Sequence, residues 1–115
     1  MVARPRRGEV WWARLPDFGR RPALVLTRDA SIPLLNRLMV VPATRTVREI
    51  PTVVHLTPDD GMPADCVLTL DNVMLVPKSG FDAFITRLSA QRMAEVCDAL
   101  QVAVGCGYRP RPPSA

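Results

Sequence analysis

Cysteine and histidine are scarce in this sequence. It contains three cysteines and one histidine in 115 residues. Cys66, Cys97 and Cys106 are odd in number and far apart along the chain, a pattern that predicts neither a disulfide framework nor a zinc site. We therefore expect a protein that uses no metal ion and no cofactor.

Long apolar runs are also missing. No stretch approaches the roughly 20 apolar residues that a membrane-spanning helix needs, and the basic N-terminus lacks the apolar core of a secretory signal. The composition, 48% hydrophobic and 23% charged, is ordinary for one globular domain. We predict a single cytoplasmic domain over residues 1–108, followed by a mobile proline-rich tail over residues 109–115.

Lysine is almost absent, because fourteen of the fifteen basic residues are arginine. Residues 1–50 carry ten arginines against four acidic residues, whereas residues 51–115 carry five basic residues against seven acidic ones. Arginine suits bidentate phosphate recognition better than lysine does, although a base-composition bias in the gene would produce the same preference. The charge asymmetry favours a nucleic-acid or acidic-protein partner over a solvated surface, without distinguishing DNA from RNA.

The chain is organised around two apolar runs, residues 23–26 (ALVL) and 38–41 (LMVV), on either side of a turn-rich segment. They predict an antiparallel hairpin that turns near Ile32 and Pro33, so that the numbers of facing residues add to about 65. This register sets Arg21 opposite Thr44, where both strands leave the core.

Arg21 is a permanent cation with five hydrogen-bond donors, and Thr44 carries a hydroxyl. Side by side, these two groups are suited to holding a phosphate. The alternative is structural. Arg21 would then form a salt bridge with Asp71 at the rim of the sheet, and Thr44 would make a strand-end hydrogen bond.

Further β-rich segments precede and follow the hairpin, at residues 6–15, 52–56, 65–70, 73–76 and 84–88. Trp11 and Trp12 point to opposite faces of the first strand, so we expect one in the core and one at a surface or an interface, where it could stack on a base. Asp71 and Asn72 make a bulge or turn between two strands, or Asp71 orients an arginine. We expect a short helical turn between residue 81 and the last strand.

Other polar side chains are assigned to the surface. His55 is predicted to face solvent or an interface and not to act as a general base. Asp59 and Asp60 are expected to solvate a loop, because no further oxygen ligands follow at the spacing of a metal site.

One helix is clearly predicted. Ser89 is its N-cap, apolar residues recur at helical spacing from Met93 to Val104, and Gly105 ends it. On this helix Cys97 is expected in the core, and Cys106 is expected to be an exposed thiol. Several short strands and one terminal helix predict a mainly β fold, a small SH3-like barrel closed to limit exposed edges, with the helix against it.

Six segments occur in a characteristic order: residues 7–11 (RGEVW), 21–26 (RPALVL), 40–44 (VVPAT), 50–52 (IPT), 65–67 (DCV) and 87–89 (RLS) with the helix that follows. Together, over residues 6–106, they resemble the MazF/PemK family of toxins from bacterial toxin–antitoxin pairs. The first loop, residues 17–20, is shorter than in many members, which affects the expected RNA sequence preference and the shape of the groove.

This resemblance implies a homodimeric, metal-independent endoribonuclease that cuts single-stranded RNA at short sequences and is silenced by an acidic, partly disordered antitoxin. The family's catalytic arginine falls on Arg21, its catalytic threonine on Thr44, and an acidic residue implicated in some members on Asp71. Further predicted RNA contacts are Arg20, Arg45, Arg48, Trp12 and Asn72.

The expected chemistry needs no histidine, because the ribose 2′-OH attacks the adjacent phosphate. Arg21 is a poor base, since its pKa exceeds about 12. Either Arg21 serves mainly as acid and electrostatic clamp, or Asp71 or Glu9 takes the proton.

Two other functions remain open. One is a DNA-gyrase poison on the same barrel, which is disfavoured because such toxins carry a tryptophan near the C-terminus and this chain does not. The other is a non-catalytic RNA-binding barrel, which the basic front half alone would satisfy.

Overall fold

The computed structural model describes residues 3–46 and 49–106 as seven β-strands followed by one α-helix. The strands are β1 (Glu9–Leu15), β2 (Gly19–Val25), β3 (Arg37–Thr44), β4 (Val53–Leu56), β5 (Cys66–Thr69), β6 (Met74–Pro77) and β7 (Phe81–Arg87), and the helix is α1 (Ala90–Val104). The predicted proline-rich tail, residues 109–115, lies outside the described residues. No helix within the described ranges is long and apolar enough to cross a membrane.

All strand pairs are antiparallel, in the order β4-β5-β3-β2-β1-β7, and β6 pairs with the first half of β3. The predicted mainly β fold with a C-terminal helix is therefore confirmed. The expected closure of the barrel is wrong, because no strand pairing joins β4 to β7 in the part of the chain that the structure describes. Instead, α1 follows β7 and packs against β4, so a helix joins the two ends of the sheet.

The register of the central hairpin is confirmed for residues 23–25 and 40–42, but Arg21 does not pair with Thr44, because the two strands separate beyond Ala23 and Pro42. Ala23 pairs with Pro42, and the next pairs along β2 and β3 are Leu24 with Val41 and Val25 with Val40. The connection contains a 3₁₀ turn at Ile32–Leu34, where the sequence predicted the reversal.

The last strand is longer than predicted. The expected helical turn comes earlier, as a 3₁₀ turn at Lys78–Gly80, and β7 already begins at Phe81. Phe81 is buried and pairs with Ala13 of β1, and its ring meets Trp11 edge to face with the centroids 6.4 Å apart. This packing, which depends on residues 70 positions apart in the chain, extends the strand beyond what local sequence predicts.

The core consists of two clusters. The first lies beneath α1 and includes Val96 and Ala99 of the helix. The second is formed by β1, β2, β3, β6 and β7, and Trp11 packs against it. The predicted helix caps are confirmed, because the Ser89 side chain accepts a hydrogen bond from the backbone of Arg92 and Gly105 adopts a left-handed conformation.

Several surface predictions have clear outcomes. His55 is exposed and Cys106 is exposed, both as expected. Cys97 is only half-buried, and its Sγ lies 3.3 Å from Nη2 of Arg7, so the expectation of a core cysteine is wrong. Asp60 does more than solvate its loop, because it pairs with an arginine of α1.

Candidate active site

The candidate site lies where β2 and β3 separate. Their pairing ends at Ala23 and Pro42, and β3 then pairs with β5 through Ala43 and Thr44. Proline cannot donate a ladder hydrogen bond, and each of the separating strands carries one at this point, Pro22 and Pro42. A cleft opens there, and the residues just beyond the last pair border it.

The cleft is a groove of about 610 Å³. It is lined by Phe18, Arg21, Thr44, Arg45, Thr46, Ile50, Thr69, Asp71 and Asn72. The structure thus brings Arg21, Thr44 and Asp71 to one groove, together with two of the five predicted RNA contacts.

Arg21 is anchored at one end of its guanidinium. It sits in β2 opposite Ala13, and its Nε donates a 2.8 Å hydrogen bond to the carbonyl oxygen of Phe18. Among the described residues, the two Nη atoms have no hydrogen-bond partner and Arg21 forms no ion pair. The suggested salt bridge between Arg21 and Asp71 is absent from this set, so the Nη atoms are available for an anion.

Thr44 is the last residue of β3 and is half-buried. Its backbone is fixed by pairing with Val67 of β5. Within residues 3–46 and 49–106 its hydroxyl makes no hydrogen bond, which argues against the strand-end structural role. Among the described residues, Thr44 and Arg21 therefore present to the groove a hydroxyl and two guanidinium nitrogens that lack protein partners.

Asp71 lies in a 3₁₀ turn, Leu70–Asn72, between β5 and β6. The predicted turn is confirmed, but the carboxylate contacts no arginine within residues 3–46 and 49–106. Its Oδ2 accepts a 2.7 Å hydrogen bond from the hydroxyl of Thr52. Glu9, the other proposed base, does not line the groove, because its carboxylate binds the Arg6 backbone and the side chains of Trp11 and Arg87.

Thr52 is a site residue that sequence reasoning missed. It is buried, with 9% of its surface exposed, and among the residues that the structure describes it is the only polar side chain in the buried class. Its hydroxyl holds Asp71 while its carbonyl oxygen accepts a 2.8 Å hydrogen bond from the Leu70 backbone. The only local signal for this role was that Thr52 follows a proline at the start of a predicted strand. That signal does not reveal that Thr52 bonds to Asp71, 19 residues away.

A second, smaller pocket of about 170 Å³ shares Arg21, Thr44 and Arg45 with the groove. Its remaining walls are Trp12, Arg20, Pro22, Ala43 and residues 62–66. Two of the predicted RNA contacts, Trp12 and Arg20, therefore belong to this pocket, and Arg45 borders both. Arg48, the remaining predicted contact, lies outside the described residues.

A thiol forms part of the wall of the smaller pocket. Burial raises the pKa of Cys66, and the nearby carboxylates of Asp60 and Asp65 raise it further. The thiol is therefore kept protonated at neutral pH and is a poor nucleophile.

Comparison with known proteins identifies the family. A family model described as PemK-like, MazF-like toxin of type II toxin–antitoxin system matches residues 6–104. The chain belongs to this family. The MazF-like match covers all of the residues assigned above to the groove and the smaller pocket.

Named MazF relatives agree with the family model. The chain is 44% identical over 107 residues to a protein of Mycobacterium tuberculosis named probable endoribonuclease MazF5, with 92% of this chain and 98% of that protein covered. A mycobacterial endoribonuclease solved in complex with its cognate antitoxin superposes with a TM-score of 0.83 at 25% identity, over 92% of this chain and 100% of that one. The Mycobacterium tuberculosis toxin MazF-mt6 gives a TM-score of 0.80 at 28% identity, over 87% and 99%.

Proposed function

We propose that this MazF-like toxin is a metal-independent endoribonuclease that cuts single-stranded RNA at specific short sequences in the cytoplasm and so inhibits translation and growth. One observation carries the proposal. Arg21 and Thr44 line the same groove, and the Arg21 guanidinium is fixed through Nε with both Nη atoms free of protein partners among the described residues.

The proposed reaction uses the RNA's own nucleophile. The 2′ oxygen forms a bond to the adjacent phosphorus, the bond from phosphorus to the 5′ oxygen breaks, and the products are a 2′,3′-cyclic phosphate and a 5′-OH. The phosphorane that forms on the way is more negative than the ground-state phosphate. Donors placed for that charge stabilise it selectively, and removing one such donor typically costs about 10²–10³ in rate.

Within this scheme the groove residues have distinct roles. The Nη atoms of Arg21 bind the non-bridging oxygens as a bidentate pair, and the Thr44 hydroxyl donates to the same group. In the part of the chain that the structure describes, Asp71 is the only carboxylate that lines the groove, and we propose that it accepts the 2′ proton. Arg21 supplies positive charge next to the leaving 5′ oxygen, which takes a proton from water to become the 5′-OH, and Asp71 then returns the 2′ proton to water.

We also propose that the toxin has two protein partners. One is a second copy of the chain, as the family resemblance implies. The other is a cognate antitoxin whose acidic, partly disordered segment covers Arg21 and the basic groove, in line with the antitoxin-bound mycobacterial neighbour. An acidic peptide from the antitoxin should inhibit cleavage at low salt, and failure to bind or inhibit would exclude this arrangement.

The decisive experiment uses purified protein, end-labelled RNA and excess EDTA. Cleavage to a cyclic phosphate and a 5′-OH is expected, and a single 2′-deoxy substitution at the cut site should abolish it. Intact RNA that is nevertheless bound would support the non-catalytic barrel instead. Inhibition of gyrase without RNA cleavage would support the gyrase poison.

A further inference from the structure

The smaller pocket contains a stacked pair of side chains that the proposed reaction does not use. The guanidinium carbon of Arg20 lies 4.7 Å from the centre of the Trp12 ring. Arg20 belongs to β2, Trp12 to β1, and β1 lies between β2 and β7 in the sheet. Arg20 therefore lies across the indole of the neighbouring strand.

A hydrogen bond also fixes the guanidinium group of Arg20. Its Nε donates a 2.9 Å hydrogen bond to Oδ2 of Asp82 in β7, so the side chain spans three strands with Trp12 beneath it. An exposed ion pair of this kind contributes little to stability. Its effect is on geometry, because it restricts the orientation of the guanidinium plane above the indole.

The Arg20 side chain remains accessible to a ligand. About half of the Arg20 side chain, 51%, is exposed although the residue contacts both Trp12 and Asp82. Unpaired bases in RNA stack on arginine planes as well as on aromatic rings. The stack thus offers a flat surface of the kind that single-stranded RNA uses.

The size and place of the pocket fit one base. Its volume of about 170 Å³ corresponds to roughly five or six water molecules at about 30 Å³ each, which is room for a single planar ring system. Arg21 and Thr44 lie in its wall as well as in the groove. A phosphate held by Arg21 and Thr44 would therefore place a flanking nucleotide at the pocket's mouth.

We propose that this pocket binds one unpaired base next to the cleaved phosphate, stacked on the Arg20 guanidinium that Trp12 and Asp82 hold in place. The inference rests on the proposed ribonuclease function and adds a specificity-determining site to it. Asp65 supplies the only carboxylate in the pocket wall among the described residues. Because carboxylates accept hydrogen bonds from exocyclic amino groups, the pocket favours cytosine over uracil.

The test replaces single bases of a cleaved RNA with abasic sites, one at a time around the cut. At one flanking position the wild-type kcat/KM should fall by about tenfold or more, the range expected for loss of a base stack. We call this fall in kcat/KM the abasic penalty. In Arg20→Ala the penalty at that position should vanish, whereas the penalties at other positions should persist. Asp82→Asn, which keeps the arginine but frees it, should reduce the penalty partly.

Arg4→Ala is the matched control. It removes the same charge from an exposed residue that lines neither the groove nor the smaller pocket, so it should keep the full penalty. An undiminished penalty in Arg20→Ala would overturn the stacking proposal. Equal wild-type cleavage of cytidine and uridine at that position, or a preference unchanged by Asp65→Asn, would overturn the assignment to Asp65.

A binding measurement separates this inference from the proposed function. RNA with a 2′-deoxy cut site binds without reacting, so the abasic penalty is also measurable as a change in Kd. If the RNA is not cleaved but the penalty in Kd depends on Arg20, only the nuclease proposal is contradicted. If the RNA is cleaved but Arg20→Ala leaves the penalty unchanged, only the stacking proposal is contradicted.

Discussion

Arg21 and Asp71 face the groove with part of each side chain already bonded. Arg21 uses Nε for the Phe18 carbonyl oxygen, and Asp71 uses Oδ2 for the Thr52 hydroxyl. In both cases the bonded atom fixes the direction of the side chain while the remaining atoms stay open to the groove. Preorganisation of this kind lowers the cost of ordering these groups when RNA binds.

The role of Thr52 can be tested with variants of similar size. Thr52→Val removes the hydroxyl and should lower kcat by about tenfold with a smaller change in KM, because Asp71 loses the bond that directs it. Thr52→Ser keeps the hydroxyl and should restore most of the rate.

The control for this prediction is Thr27→Val. The Thr27 hydroxyl oxygen accepts a 2.7 Å hydrogen bond from the Met39 backbone, away from the groove. Both valine variants should lose about 1 kcal/mol of stability, but only Thr52→Val should lose activity. Equal kcat values for Thr52→Val and the wild type would rule out positioning of Asp71 by Thr52.

At the scale of elements, an ion pair fastens α1 to the connection between β4 and β5. Arg92 of the helix donates to both carboxylate oxygens of Asp60, with Nε 2.9 Å from Oδ1. Asp60 also accepts a 3.0 Å hydrogen bond from the Thr57 backbone. Burial alone would raise the pKa of Asp60, but these hydrogen bonds and the charge of Arg92 outweigh it and lower the pKa below its ordinary value of 3.8.

This shift predicts an acid-sensitive step in stability. Because the folded pKa is lower than the unfolded one, the stabilisation is fully present above about pH 4 and is lost as the pH falls towards the folded value. Asp60→Asn should have a lower Tm than the wild type at pH 7, and it should lose less Tm between pH 5 and 3.

Thermal unfolding monitored by circular dichroism across this range measures the effect. Asp59→Asn is the control, because Arg92 contacts Asp60 and not Asp59, and it should retain the acid sensitivity of the wild type. Parallel Tm profiles for Asp60→Asn and the wild type would show that this ion pair does not contribute to acid sensitivity.

Local sequence signals were sufficient for some elements and not for others. The hairpin register follows from two apolar runs around one turn, and both ends of α1 follow from Ser89 and Gly105, because each depends on neighbours in the chain. The open sheet, the early start of β7 and the bond from Thr52 to Asp71 depend on distant residues. The position of Arg21 and Thr44 in one groove was predictable because register and family resemblance agree, and their catalytic role stays a prediction. The position of Arg20 over Trp12, by contrast, requires three strands to be in place.

At the scale of the whole molecule, exposed apolar side chains favour assembly. Met39 and Leu75 face each other across β3 and β6, with 41% and 53% of their surfaces exposed. The sequence predicted one tryptophan in the core and one at a surface or an interface, but Trp11 and Trp12 are both half-buried, and Trp12 lies beneath Arg20. The β3–β6 edge and the exposed Val102 and Val104 of α1 are therefore the better candidates for a partner surface.

We expect a homodimer, the commonest closed assembly of soluble proteins. Sedimentation equilibrium at micromolar concentration should give the mass of two chains and should fall towards one chain only on strong dilution. A single-chain mass throughout the micromolar range would contradict this prediction.

The central claim, that a fixed planar donor pair and a hydroxyl stabilise the phosphorane, also concerns Thr44. Thr44→Val removes one donor and should lower the cleavage rate by about 10²–10³, whereas Thr44→Ser keeps the hydroxyl and should retain most of it. Full activity in Thr44→Val would show that the residue has only a structural role.

The most direct test of that claim is the single-turnover cleavage rate of Arg21→Lys in EDTA, beside Arg21→Ala and with unchanged circular dichroism for both. Lysine keeps the charge but loses the planar fork and the Nε bond to Phe18, so we predict a rate nearly as low as that of Arg21→Ala. RNA affinity should change little, because other arginines supply most of the phosphate contacts. A wild-type rate in Arg21→Lys would show that a point charge suffices and would contradict the bidentate mechanism.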